Sequence, residues 1–184
     1  MGEIHLRTSR DALTVDEATG AITKFRPLGA PGTELQSECG RCAFMLHHLD
    51  GDGVYRWTDS TKARSVVASV DRAGSESLVR LVYQGVGPLD LEVCLTIRAS
   101  EAWPVTRWSA SVRAGHGVRV VDLQMPVIVV PWSEVSSVVE PYAFGRLIEG
   151  AGLESLPEDS PGLWQLTPEN GDTAHYPGSV VAQF

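Results

Sequence analysis

At 184 residues, with 23 acidic and 15 basic side chains, the chain carries a formal net charge of −8. That balance excludes a general affinity for nucleic acid or an anionic membrane, both of which require basic patches. Hydrophobic residues make up 43%, a globular composition. The length fits one domain spanning 1–184, with a core that needs neither disulfides nor metals. No apolar run approaches the roughly 20 residues of a membrane span.

The first seven residues lack the basic-then-apolar-then-small layout of a signal peptide, which favours a cytoplasmic location. Residues 12–25 read as strand, tight turn, strand. Leu13 and Val15 alternate, Ala18-Thr19-Gly20 turns, and Ile22 and Phe25 resume the apolar pattern. Gly20 supplies the positive φ such a turn needs. Residues 27–40 form a looser, Pro/Gly-rich connection.

Cys39-Gly40-Arg41-Cys42 is a CxxC. A redox pair needs its first cysteine at a helix N-terminus, but residues 43–48 look more like strand than helix. A structural zinc site takes its second ligand pair from a separate element, and adjacent His47 and His48 on a strand point to opposite faces. No metal, cofactor or disulfide framework is therefore expected. Residues 44–48 are the next strand, and Asp50-Gly51-Asp52-Gly53 closes a hairpin onto residues 54–57. The two aspartates do not make a calcium loop. Val54, Tyr55 and Thr61 stand where its third oxygen ligand, glycine and glutamate belong.

Residues 64–131 read as five consecutive antiparallel strands. In 89–98 every odd position is apolar (Leu89, Leu91, Val93, Leu95, Ile97) and every even one is polar or small. A period of two puts the first set on a core. Runs 65–70 and 78–83 flank it across a polar link at 71–75. Residues 104–112 alternate through Trp108, and 118–130 is the longest apolar run, interrupted at Pro126, which argues for an edge, bulge or bend. Beyond residue 131 come a short turn at 133–137, a short strand within 144–148, and a long Pro/Gly/acid-rich stretch at 156–178. Such a loop carries function or packs against something else. An apolar strand starts at 179, and a chain ending inside it suggests a piece of a longer protein. The expected fold class is all-β, an antiparallel β-sandwich.

Leu13-Thr-Val-Asp-Glu-Ala-Thr-Gly-Ala-Ile22 resembles the opening hairpin of N-terminal sandwich domains of glycoside hydrolases. Leu91 to Ile97, Pro104 to Trp108 and Val118 to Val127 resemble the meander that follows there. Phe144 to Ile148 and Tyr176-Pro-Gly178 resemble the approach to a catalytic barrel in a poorly characterised glycosidase-like group. The resemblance implies a galactose-mutarotase-like supersandwich. It further implies a non-catalytic N-terminal domain that braces a C-terminal catalytic domain and shapes its substrate cleft, with carbohydrate as ligand.

Glycoside hydrolysis needs two carboxylates at a set separation, and no motif singles out a pair here, so no catalytic residue is assigned. Phe144, Arg146, Trp164 and Tyr176 are the candidates for contact with carbohydrate or a neighbouring domain. Trp108 is assigned to the core, whereas Trp57, Trp103, Trp132 and Trp164 fall at strand ends or in loops. Two other functions stay open. One is an independent carbohydrate-binding module using loop tryptophans. The other is a mutarotase-like sugar epimerase, which would require His47 or His48 to face a pocket beside a carboxylate.

Overall fold

Alternating side chains build the first sheet. In β1 (Glu3–Arg7) and β2 (Asp11–Asp16), Ile4, Leu6, Leu13 and Val15 are buried. β3 (Ile22–Pro27) and the two-residue β4 (Leu35–Gln36) complete the order β1-β2-β3-β4. The structure, a computed structural model, describes residues 2–29, 35–36, 42–88, 91–115, 117–127, 137–140, 146–149 and 181–183. It divides into two compact units, Met1–Val129 and Val130–Phe184. Every strand pair in both is antiparallel, so the chain is an all-β protein of sandwich character, as its periodicity predicts.

Two further sheets complete the first unit. β5 (Met45–Leu49) and β6 (Tyr55–Asp59) form the hairpin expected around Asp50, and β5 is the central strand of the order β11-β5-β6. β7 (Ser65–Ala73), β8 (Glu76–Val86), β9 (Leu91–Ser100) and β10 (Arg107–Arg113) make the meander β10-β9-β8-β7. Leu91, Val93, Leu95 and Ile97 are fully buried on β9, as their alternation requires; Leu89 lies outside the described residues. Opposite them in register, Val79, Leu81 and Tyr83 of β8 are equally buried. These side chains join Ile4, Leu6, Leu13, Val15, Ile22, Phe44 and Leu46 in one apolar core. Each fully buried aliphatic there contributes about 1.5–3 kcal/mol.

Three expectations need correction. The polar link at 71–75 is shorter than its composition suggests. β7 and β8 stay paired to Ala73 and Glu76, leaving Gly74-Ser75 with Gly74 at φ 61°, because an exposed hairpin accepts Asp71 and Arg72 as readily as a turn does. The meander has four strands and not five: β11 (Arg119–Gln124) pairs with β5, with a bulge between Val120 and Asp122. Alternation identifies a strand but carries no record of which edge it joins. The opening residues, outside every strand expected from the sequence, form β1, in which Ile4 and Leu6 alternate into the core.

In the second unit, β12 (Ser137–Glu140) lies between β13 (Arg146–Glu149) and β14 (Val181–Gln183). β13 and β14 fall where short strands are expected. The long stretch at 156–178 lies outside the described residues.

The β2–β3 turn fixes how the first sheet meets the meander. Asp16 Oδ1 accepts from the amides of Ala18 (2.7 Å) and Thr19 (3.0 Å), while Gly20 adopts φ 71°. Tyr83 Oη then donates to Thr19 O at 3.1 Å. A Cβ on Gly20 would overlap Tyr83 Oη and press on Leu81 Cδ1. Gly20→Ala is therefore expected to cost about 2–4 kcal/mol, combining left-handed backbone with overpacking. Urea unfolding of Gly20→Ala alone and with Tyr83→Phe checks this. The pair should lose less than the sum of the singles, and strict additivity would assign the cost to backbone conformation alone.

Candidate functional site

The residues nominated from sequence do not assemble a site among the described residues. Phe144, Trp164 and Tyr176 lie outside them. Arg146 opens β13, with its Cα opposite Glu140 of β12.

A different set converges on the sheet β11-β5-β6. Because strand side chains alternate, Leu46 enters the core while Met45, His47 and Leu49 share the other face. In register with His47 stand Trp57 on β6 and Asp122 on β11. Tyr55 and Gln124 sit two positions along on the same face. His47 stacks on Trp57 with ring centroids 4.4 Å apart and planes 7° from parallel, and it meets Tyr55 at 5.0 Å and 39°. Gln124 Nε2 donates to Asp122 Oδ2 at 3.3 Å, so Gln124 Oε1 and Asp122 Oδ1 retain acceptor capacity. Trp57 is not at a strand end, as the sequence suggested, but at the centre of β6. The extra length comes from Asp59, which caps the 3-10 turn Ser60–Lys62 by accepting from Thr61 N at 2.7 Å.

The hairpin that presents Tyr55 and Trp57 is held by Asp50. Its Oδ1 accepts from the amides of Asp52 (3.0 Å) and Val54 (2.9 Å), and its Oδ2 from Arg56 Nε (2.6 Å). That guanidinium hydrogen bond, helped by the amides, holds the Asp50 carboxyl below the usual carboxylate range. Asp50 thus organises the turn. Among the described residues no cluster of His, Cys, Asp or Glu could hold a metal ion. Burial pushes the Cys42 thiol up, with Asp59 adding to the effect, the opposite of an activated redox cysteine.

His47 is 3% exposed, yet among the described residues neither of its ring nitrogens has a hydrogen-bond partner; His48, 1% exposed on the core side, likewise leaves Nδ1 unpartnered. Each such group costs about 1–3 kcal/mol. Burial lowers the pKa of both rings, offset only in part by Asp122 for His47 and by Asp50 for His48. Both rings are therefore neutral at pH 7. The resulting face offers two aromatic rings, a carboxylate and an amide, a set suited to a ligand with apolar faces and hydroxyl edges.

The sequence makes only part of the site legible: it places the two histidines on one strand, but their partners come from β6 and β11. No family model and no curated protein matches this chain.

The depressed histidine pKa values have a consequence for stability. The unfolded chain takes up protons near the ordinary imidazole value of 6.5, while the folded chain resists until lower pH. Stability is thus fully present above about pH 6.5 and falls as pH drops from there through the folded values. Urea midpoints measured from pH 8 to 5 should decline below about 6.5, and His47→Gln should make the decline shallower. An unchanged slope in that variant would remove His47 from the account.

Proposed function

We propose that this chain is a non-catalytic β-sandwich domain, of the galactose-mutarotase-like supersandwich type, from a carbohydrate-active enzyme. Its role is to hold a neutral glycan against the β11-β5-β6 face and so form one wall of the cleft of a glycoside hydrolase catalytic domain. The observation that carries this reading is the His47–Trp57–Tyr55 stack, bordered by Asp122 and Gln124.

Sugars present C–H faces that lie well on aromatic rings, together with hydroxyls that both donate and accept. Tyr55, 37% exposed, and half-buried Trp57 supply the rings, while Asp122 and Gln124 supply hydrogen-bond partners about two strand spacings, roughly 10 Å, from β6. His47 holds the Trp57 ring flat. The resemblance of the first hairpin and the meander to glycoside hydrolase sandwich domains points the same way. An epimerase gains some support from Asp122 standing opposite His47. A proton carrier must reach its substrate, however, and the burial of His47 under two rings favours binding over proton transfer.

Titration of the protein with neutral oligosaccharides of glucose, galactose, xylose and mannose, followed by amide NMR, tests this. Shifts should cluster on β5, β6 and β11. Trp57→Ala should weaken binding at least about tenfold, and Asp122→Asn less. Absence of binding at millimolar sugar, or shifts elsewhere that Trp57→Ala leaves intact, would reject the reading. Anomer interconversion catalysed by the wild type and lost in His47→Gln would establish the epimerase instead.

A further inference from the structure

The outer face of the first sheet carries a second feature. Its register aligns His5 with Thr14 and Lys24 across three strands, and Arg7 with Ala12 and Arg26 in the next row. Along a strand these rows are about 7 Å apart, and across two strand spacings β1 and β3 lie about 10 Å apart. Long cationic side chains therefore stand on both banks of β2, whose own outward residues, Ala12 and Thr14, are small. The result is a trough of about 340 Å³, lined by His5, Arg7, Thr14, Lys24 and Arg26.

The charges are unevenly neutralised. Glu3 Oε2 lies 3.7 Å from His5 Nε2, and Glu101 Oε1 lies 3.9 Å from Arg7 Nε. Asp16 stands opposite Glu3, at the far end of the trough from Arg7 and Arg26. Lys24 and Arg26, both on β3, have no carboxylate within ion-pair distance among the described residues. In a chain of net charge −8, this is a local concentration of positive charge with a stated direction.

We propose that this trough binds an acidic oligosaccharide, with carboxylates of successive uronic acid units on the Lys24–Arg26 bank. The choice of a sugar rests on the carbohydrate reading above; the choice of an anion rests on the trough alone. A single-stranded nucleic acid needs aromatic platforms for its bases, and the floor of Ala12 and Thr14 provides none. An acidic peptide needs apolar pockets to anchor its side chains, and the exposed side chains lining the trough (His5, Arg7, Lys24 and Arg26) are all polar. A glycan acid needs only paired cations with room for its hydroxyls between them.

The test is calorimetric titration of the full chain with galacturonic acid trimer, its neutral galactose counterpart and sodium sulfate, at 20 and 200 mM salt as order-of-magnitude settings. The acidic trimer should bind, lose at least about tenfold in affinity at the higher salt, and lose at least about tenfold in a Lys24→Gln/Arg26→Gln variant. Both positions are exposed, so circular dichroism should report an intact fold. Trp57→Ala should leave the acidic trimer unaffected, which separates this site from the neutral-glycan face and lets either fail alone. No binding of the acidic trimer at low salt would overturn the proposal, as would equal binding by the double variant. Equal affinity for sulfate and trimer would also overturn it, reducing the trough to a simple anion site.

Discussion

One side chain joins the three sheets of the first unit. Tyr83 rises from the centre of the meander, donates to Thr19 O in the β2–β3 turn, fits against the bare Cα of Gly20, and meets Phe44 edge-on at 5.0 Å just before β5. Burial pushes its hydroxyl pKa well above the ordinary value, so it stays protonated and a donor at neutral pH. Apolar burial would hold the layers together without specifying how they sit, since it is non-directional. The Tyr83 hydroxyl and the absent Cβ at Gly20 supply the direction.

The same unit tolerates an expensive centre at β5. Its even positions feed the core through Leu46, while its odd positions carry His47 into a dry aromatic setting with no hydrogen-bond partner among the described residues. A leucine at that position would satisfy packing at lower cost. Retaining a neutral imidazole between Trp57 and Tyr55 instead gives the face a flat, polarisable floor. That combination separates it from the basic trough on β1–β3, which offers a band of cations in place of stacked aromatic rings. Two faces of one small unit thus present opposite chemistries.

Much of the fold was legible because antiparallel strands with one dry face write their identity in period two. The alternation within β9 and β8 and the turn ending at Gly20 could be read, although β8 runs from Glu76 to Val86, beyond the expected 78–83, and β9 continues to Ser100. What could not be read was partnership. Nothing in residues 118–124 says that β11 leaves the meander for β5, and with that pairing unknown, Asp122 could not be set opposite His47. The tryptophans misled for a related reason: Trp57 looked like a strand end because the polar Thr58 and Asp59 resemble a loop, yet both are strand residues. The basic trough was invisible for a simpler cause. Its cations come from two strands separated by a third, and a net acidic composition averages them away.

The pairing of β11 with β5 also sets an order of assembly. The meander and the β5–β6 hairpin are made of neighbours in sequence, whereas Leu49 and Arg119 are about 70 residues apart, so closing that loop costs on the order of 4 kcal/mol of chain entropy. Local contacts form before distant ones, so this seam closes after its neighbours. The seam between β5 and β11 runs through the candidate glycan face. A ligand spanning Trp57 and Asp122 would act as a clasp across it, slowing the opening of the one strand that arrives last.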